Sequence, residues 1–190
     1  MNKETTIVGV AALIIGFLLG ALVGAKFMSG SGTSVGQQAV QQGGGAMPNP
    51  GQAAARVAEL EQVVAKDPKN LQAWITLGND YFDANQAQKA VQAYGKALAI
   101  DPNNANVLTD QGVMFRALGF FDRALANFEK ANKIDPKHLQ SLFNIGIVYA
   151  VDLKQPAKAK ATFEALLQKD QTSDLARQAR EMLQQLPAAK

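Results

Sequence analysis

Apolar and polar positions divide the chain into three zones. From Ile7 to Ala25 nineteen residues run without a charge, a proline or a hydrogen-bonding side chain. From Phe27 to Ala55 charge is still absent, but Gly, Gln and Ser replace the large apolar residues. Beyond Ala55 apolar and small residues recur every three or four positions among charged ones, the spacing of amphipathic helices. The first zone predicts a membrane-spanning helix within an anchor at residues 1–28, since nineteen helical residues extend about 28 Å against a hydrocarbon core of ~30 Å. A cleaved signal peptide ending at Val23-Gly24-Ala25 is the alternative, although such peptides carry apolar cores of only ~7–15 residues. Gly16, Gly20 and Gly24 share one face of this helix, a spacing that allows two membrane helices to pack closely as a homodimer seam or is simply the ordinary glycine content of a membrane helix. Lys3 is offset by Glu4 and only Lys26 follows the run, so no basic cluster retains the remainder in the cytoplasm. The expectation is a single-pass inner-membrane protein whose later residues are periplasmic.

Residues 29–52 read as a flexible tether, because seven of these 24 are Gly and none is charged. The third zone, 53–186, is periodic. Asp67-Pro68, Asp101-Pro102 and Asp135-Pro136 recur at a spacing of 34. In the same register fall Trp74, Leu108 and Leu142; Gly78, Gly112 and Gly146; and Tyr81, Phe115 and Tyr149. Ala90 and Ala124 match as well, and Tyr94 and Phe128 after them. Each copy therefore predicts two helices and a tight turn: small columns where helices cross closely, aromatic columns filling the space beside them, and a proline ending the second helix. Asn70 and Asn104 stand where the next helix needs an N-cap, and His138 holds that slot in the third copy. The third copy has one residue more between Tyr149 and Ala159, with Gln155-Pro156 there, which predicts a longer or differently shaped turn. Val57, Leu60, Val63 and Val64 form a partial preceding unit (53–69), followed by copies at 71–104, 105–138 and 139–171. Leu175, Ala179, Met182, Leu183 and Leu186 predict a capping helix over 173–186. The total is eight helices.

The 34-residue period with Trp74, Leu77, Gly78 and Tyr81, then Ala, an aromatic and Pro, resembles the tetratricopeptide repeat. The resemblance implies an all-α, right-handed superhelical stack of helix-turn-helix units whose first helices line a concave groove. On the family pattern that groove is lined by Gln72, Ile75, Thr76, Asn79, Phe82 and Asp83 in the first copy. The second copy contributes Asn106, Thr109, Asp110, Val113, Arg116 and Ala117; the third, Gln140, Phe143, Asn144, Ile147, Ala150 and Val151. Members that grip chaperone C-terminal carboxylates carry Lys and Arg at several of these places. Here Asn79 fits, but Ile75, Asp110, Gln140 and Asn144 stand at the others, so that mode is not expected. An apolar strip toward the third copy, with amides beside it, suits an amphipathic helix or an extended peptide. Phe143 and Ile147 either line that strip or pack against neighbouring helices.

Composition narrows the chemistry. There is no Cys and a single His, which leaves no disulfide framework, thiol chemistry, Cys-rich metal site or covalent haem attachment. Of the 19 Lys and Arg and 16 Asp and Glu, only Lys3, Lys26 and Glu4 precede Ala55, so the repeats are nearly balanced and do not suggest nucleic acid. No phosphate loop, nucleophile elbow or metal-spaced His pair is present, so neither enzyme activity, a metal nor a cofactor is expected. Asp80 and Asp83, one turn apart, read as a solvated face. An anchor followed by repeats is similar to bacterial envelope assembly factors, including those that hold apocytochrome during cytochrome c maturation. The expected partner is a protein or peptide client held by an adaptor or chaperone; a general holdase and a membrane scaffold are the alternatives.

Overall fold

A computed structural model describes residues 50–187. The expected membrane helix, its glycine seam at Gly16, Gly20 and Gly24, and most of the tether lie outside these residues. No helix among those described is long and apolar enough to cross a membrane.

The described residues form eight α-helices and no strand: α1 (Pro50–Lys66), α2 (Leu71–Asp83), α3 (Ala87–Ile100), α4 (Ala105–Ala117), α5 (Phe121–Ile134), α6 (Leu139–Ile147), α7 (Pro156–Lys169) and α8 (Asp174–Gln185). Helix α1 takes in Pro50–Gln52, which composition had assigned to the tether; proline is well tolerated in a first helical turn, where its missing N–H has no partner to lose. Helices α2/α3, α4/α5 and α6/α7 are hairpins, α1 packs on α2, and α8 packs on α6 and α7.

The columns explain the hairpins. A Cβ added at Gly78 would stand 2.5 Å from the Tyr94 ring, and one at Gly112 2.5 Å from the Phe128 ring. Phe163 plays the same part against Gly146. Each ring thus occupies the space a side chain would need, and the two helices close to that distance. Ala90, Ala124 and Ala159 are fully buried. Complete burial of a ring such as Phe128 is worth roughly 1.5–3 kcal/mol. One core cluster centres on Leu77, Tyr81 and Tyr94, a second on Phe128, Leu142 and Phe163, and Val113 packs against both.

The connections repeat as well. Asp67, Asp101, Asp135 and Asp170 each accept, through Oδ1, the amide of the residue two further on. The turn therefore survives at Asp170, where no proline follows. The next helix is capped by Asn70 on the Ala73 amide at 3.0 Å and by Asn104 on the Val107 amide at 3.1 Å. His138 accepts the Ser141 amide through Nδ1 at 3.3 Å, and Ser173 accepts that of Ala176 at 3.2 Å.

The extra residue of the third copy is not in the turn. Helix α6 continues as a π-helical turn, Val148–Asp152, with the Leu153 amide bonded to the Val148 carbonyl. The reversal that follows keeps a left-handed residue, Lys154 at φ 52°, but its closing bond, from the Gln155 amide to the Tyr149 carbonyl, spans six residues where the other two copies span five. Asn85 (φ 55°) with Gln86, and Gly119 (φ 79°) with Phe120, make the shorter reversals, closing on Tyr81 and Phe115. The insertion is absorbed where the end of α6 widens into the π-helical turn.

Candidate functional site

The first helices α2, α4 and α6 carry the residues expected to bind a partner, and three kinds of environment separate them. Several are open. Asn79, Asp83, Asn106, Gln140 and Val151 are exposed, and Val151 keeps 50% of its surface free. Ala117 is exposed too, with Ala150 half-buried. Others are half-buried and wedged against the core, namely Ile75, Phe82, Val113 and Ile147.

Two residues do not belong to an open face. Thr109 is only 3% exposed, and its hydroxyl bonds back to the Ala105 carbonyl at 2.9 Å. Phe143 is 8% exposed and lies 5.7 Å, ring to ring, from Phe163. Gly146, one turn along α6, admits the Phe163 ring so closely that it also reaches Phe143. Of the two readings left open for Phe143, core packing is the one observed.

Polar groups on this face are linked between copies. The Tyr94 hydroxyl donates to Asn79 Oδ1 at 2.9 Å. Burial raises the Tyr94 pKa, and the nearby carboxylates Asp110 and Asp83 raise it further, so all three groups converge between α2 and α4. Asp110 is itself held above the usual carboxylate range by burial, an effect opposed by His138. His138 faces Asn106 Oδ1 through Nε2 at 2.9 Å. Because Nδ1 accepts the Ser141 amide, the neutral ring carries its proton on Nε2 and donates it to Asn106. The single His is thus a helix cap that ties α6 to α4. Gln72 and Thr76 bond to each other along α2, and Gln140 reaches Asn144 Oδ1 at 3.5 Å. Asn144 Nδ2 is buried and finds no hydrogen-bond partner among the described residues.

Two ion pairs were invisible in the sequence. Arg116 is not free to meet a ligand: its Nε and Nη2 grip both oxygens of Asp152 in the π-helical turn. Asp80, read as solvated, is 6% exposed and takes both Nε and Nη2 of Arg56 on α1. The partners are 24 and 36 residues apart and occupy no repeated column, so spacing carried no signal for them. With Arg116 neutralised, Asp83 and Asp110 set the charge of this face. No group of three or more His, Cys, Asp or Glu among the described residues is placed to hold a metal.

This architecture can be compared with known proteins. A family model described as TPR repeat matches residues 78–113, and one described as Tetratricopeptide repeat matches 109–176. The described hairpins are tetratricopeptide repeats. Among solved structures, a tetratricopeptide repeat protein from Parabacteroides merdae superposes with a TM-score of 0.63 at 22% identity, over 72% of this chain and 54% of that one. The chain thus spans about half the length of that relative. MamA aligns with a TM-score of 0.60 at 23% identity, over 68% of this chain and 72% of its own. The TPR2B domain of yeast Sti1, in a complex with pHsp70, gives 0.54 at 20% identity, over 68% and 94%. At such identities the likeness is one of fold. No curated protein sequence matches the chain.

Proposed function

We propose that these repeats form a protein–protein interaction module in which the open face of α2, α4 and α6 holds a segment of a client protein. The observation that carries the reading is the division of that face. Asn144, with a buried donor unpaired, lies one turn from Ile147 and two from the exposed Val151, while Asn79, Asp83 and Asp110 line the other end. The apolar strip takes one face of an amphipathic helix or the alternate side chains of an extended segment, and the carboxylates favour a client with basic residues at that end.

Within this proposal the run Ile7–Ala25 anchors the chain in the inner membrane, and the tether lets the repeats meet exported clients, as an adaptor or chaperone of envelope assembly such as cytochrome c maturation requires. The test is site-specific photo-crosslinking in native membranes, with the crosslinker at Val151 or, as a control, at the exposed Gln88 on α3. A discrete adduct from Val151 alone, lost in an Asp110→Lys Asn144→Leu variant that keeps its helical content, supports the reading. Equal labelling from both positions, or an adduct indifferent to that variant, overturns it.

A further inference from the structure

On the opposite side of α2 from Asn79 and Asp83 lies a cleft of about 430 Å3, between α1 and α3. Trp74, Leu77 and Tyr81, at helical spacing on α2, make its floor, and Val64 and Ala93 its apolar sides. We propose that this cleft is a second docking site, taking a bulky apolar side chain from a partner protein segment that carries an acidic side chain beside it.

Size and shape fit such an anchor. The volume falls in the range of ~300–1,000 Å3 that binding pockets occupy. The cleft opens between two exposed helix surfaces, so a partner inserting one large side chain gains further contact along α1 and α3, the arrangement of an interface hot spot. A small amphiphile would be left half in water.

Charge decides the kind of partner. The Glu61 carboxylate accepts the Tyr81 hydroxyl, and the Lys89 ammonium rests 5.1 Å above the Tyr81 ring. Burial and the Glu61 contact push the Tyr81 pKa up to about 12, so this hydroxyl stays a donor to Glu61. Lys96, two turns beyond Lys89 at the same lip, has no ion pair among the described residues. An incoming carboxylate finds an unpaired ammonium there, whereas a basic partner meets two lysines.

The second repeat does not reproduce the floor of this cleft. One period later the columns of Leu77 and Ala93 hold Gln111 and Asn127, which bond to each other at 2.8 Å, with Gln111 also donating to the Val91 carbonyl at 3.0 Å. That polar pair fills the place where the first repeat has an apolar floor, so the opening arises from these side chains and not from the repeat geometry.

Trp74 is the only tryptophan of the chain and lines the cleft, so its emission and its indole N–H resonance report occupancy. Two capped, amidated helical peptides serve as probes on the full-length protein: one with a central Phe flanked by Glu one turn away, the other with Lys in place of each Glu; decanoate is the third. The expected result is saturable perturbation of Trp74 by the acidic peptide only, weakened about tenfold or more by Lys96→Glu and by Ala65→Glu. Both positions are exposed, and circular dichroism checks that the variants stay folded. Asp110→Lys, on the other face, leaves this binding unchanged even where client capture is lost, so the two proposals fail separately. No response to either peptide, equal response to both, a response to decanoate alone, or indifference to Lys96→Glu each overturns the assignment.

Discussion

Two glycine-to-alanine substitutions should shift stability in opposite directions. Gly112 in α4 and Gly95 in α3 both sit inside helices, where alanine is favoured by about 0.8–1.0 kcal/mol. At Gly95 an added Cβ meets only the end of the Gln111 side chain, at 3.5 Å, an ordinary contact. Gly95→Ala therefore keeps most of the propensity gain and stabilises by about 1 kcal/mol. At Gly112 the same Cβ stands 2.5, 2.8 and 3.0 Å from three atoms of the Phe128 ring. Carbon atoms prefer about 3.5–4.0 Å, so the ring or the helix has to retreat by roughly 1 Å. Phe128 has no exposed surface into which to move. Overpacking of this kind costs about 1–3 kcal/mol or more, which outweighs the propensity gain. The expected order of urea midpoints is Gly95→Ala above wild type above Gly112→Ala, followed by far-ultraviolet circular dichroism. With slopes of about 1–3 kcal/mol per molar, the two variants should stand well apart. Adding Phe128→Leu to Gly112→Ala should recover part of the loss, because the side chain that collides is shortened. A Gly112→Ala protein as stable as wild type would show that close helix approach is not the reason for glycine in this column.

Phe143→Glu should lose at least ~3 kcal/mol, as expected for removing a buried aromatic side chain, whereas Val151→Glu should stay within ~0.5 kcal/mol of wild type; equal melting of the two variants would contradict their different burial. Lys154→Gly should stabilise by about 1 kcal/mol, since Lys154 holds a left-handed conformation without glycine's freedom, and an unchanged melting temperature would count against that backbone assignment. Asp170 is held to a pKa of about 2, first by Ser173 and then by the Thr172 amide. A lowered carboxyl pKa contributes stability that is complete above the ordinary value near 3.8 and is lost as pH falls through about 2, so carboxyl carbon shifts in a nuclear magnetic resonance titration should place its midpoint well below those of exposed Asp residues.

Much of the repeat domain was legible because its signals are local or periodic. Asp-Pro pairs mark helix ends through the chemistry of proline and of the Asp side chain, and both Asn70 and Asn104 cap helices by bonding three residues ahead. His138 could be placed as a cap by its column, although only the fold shows that its other nitrogen reaches Asn106. The extra residue before Ala159 was visible as a break in the period, but whether it lengthened a turn or a helix depended on which carbonyls were already paired.

The candidate face was harder to read. Family positions indicate which side of a helix points inward, yet Thr109 and Phe143 share that side and are covered, and Arg116 shares it and is neutralised. Asp80 and Asp83, one turn apart on α2, have opposite fates: one is buried against Arg56 and the other exposed. The order of residues along the chain determined the eight helices and the columns that pair them, because helix period, capping and turn chemistry act over a few residues. Tertiary structure alone decided which side chains remain available to a partner, because availability depends on what a helix tens of residues away lays across them.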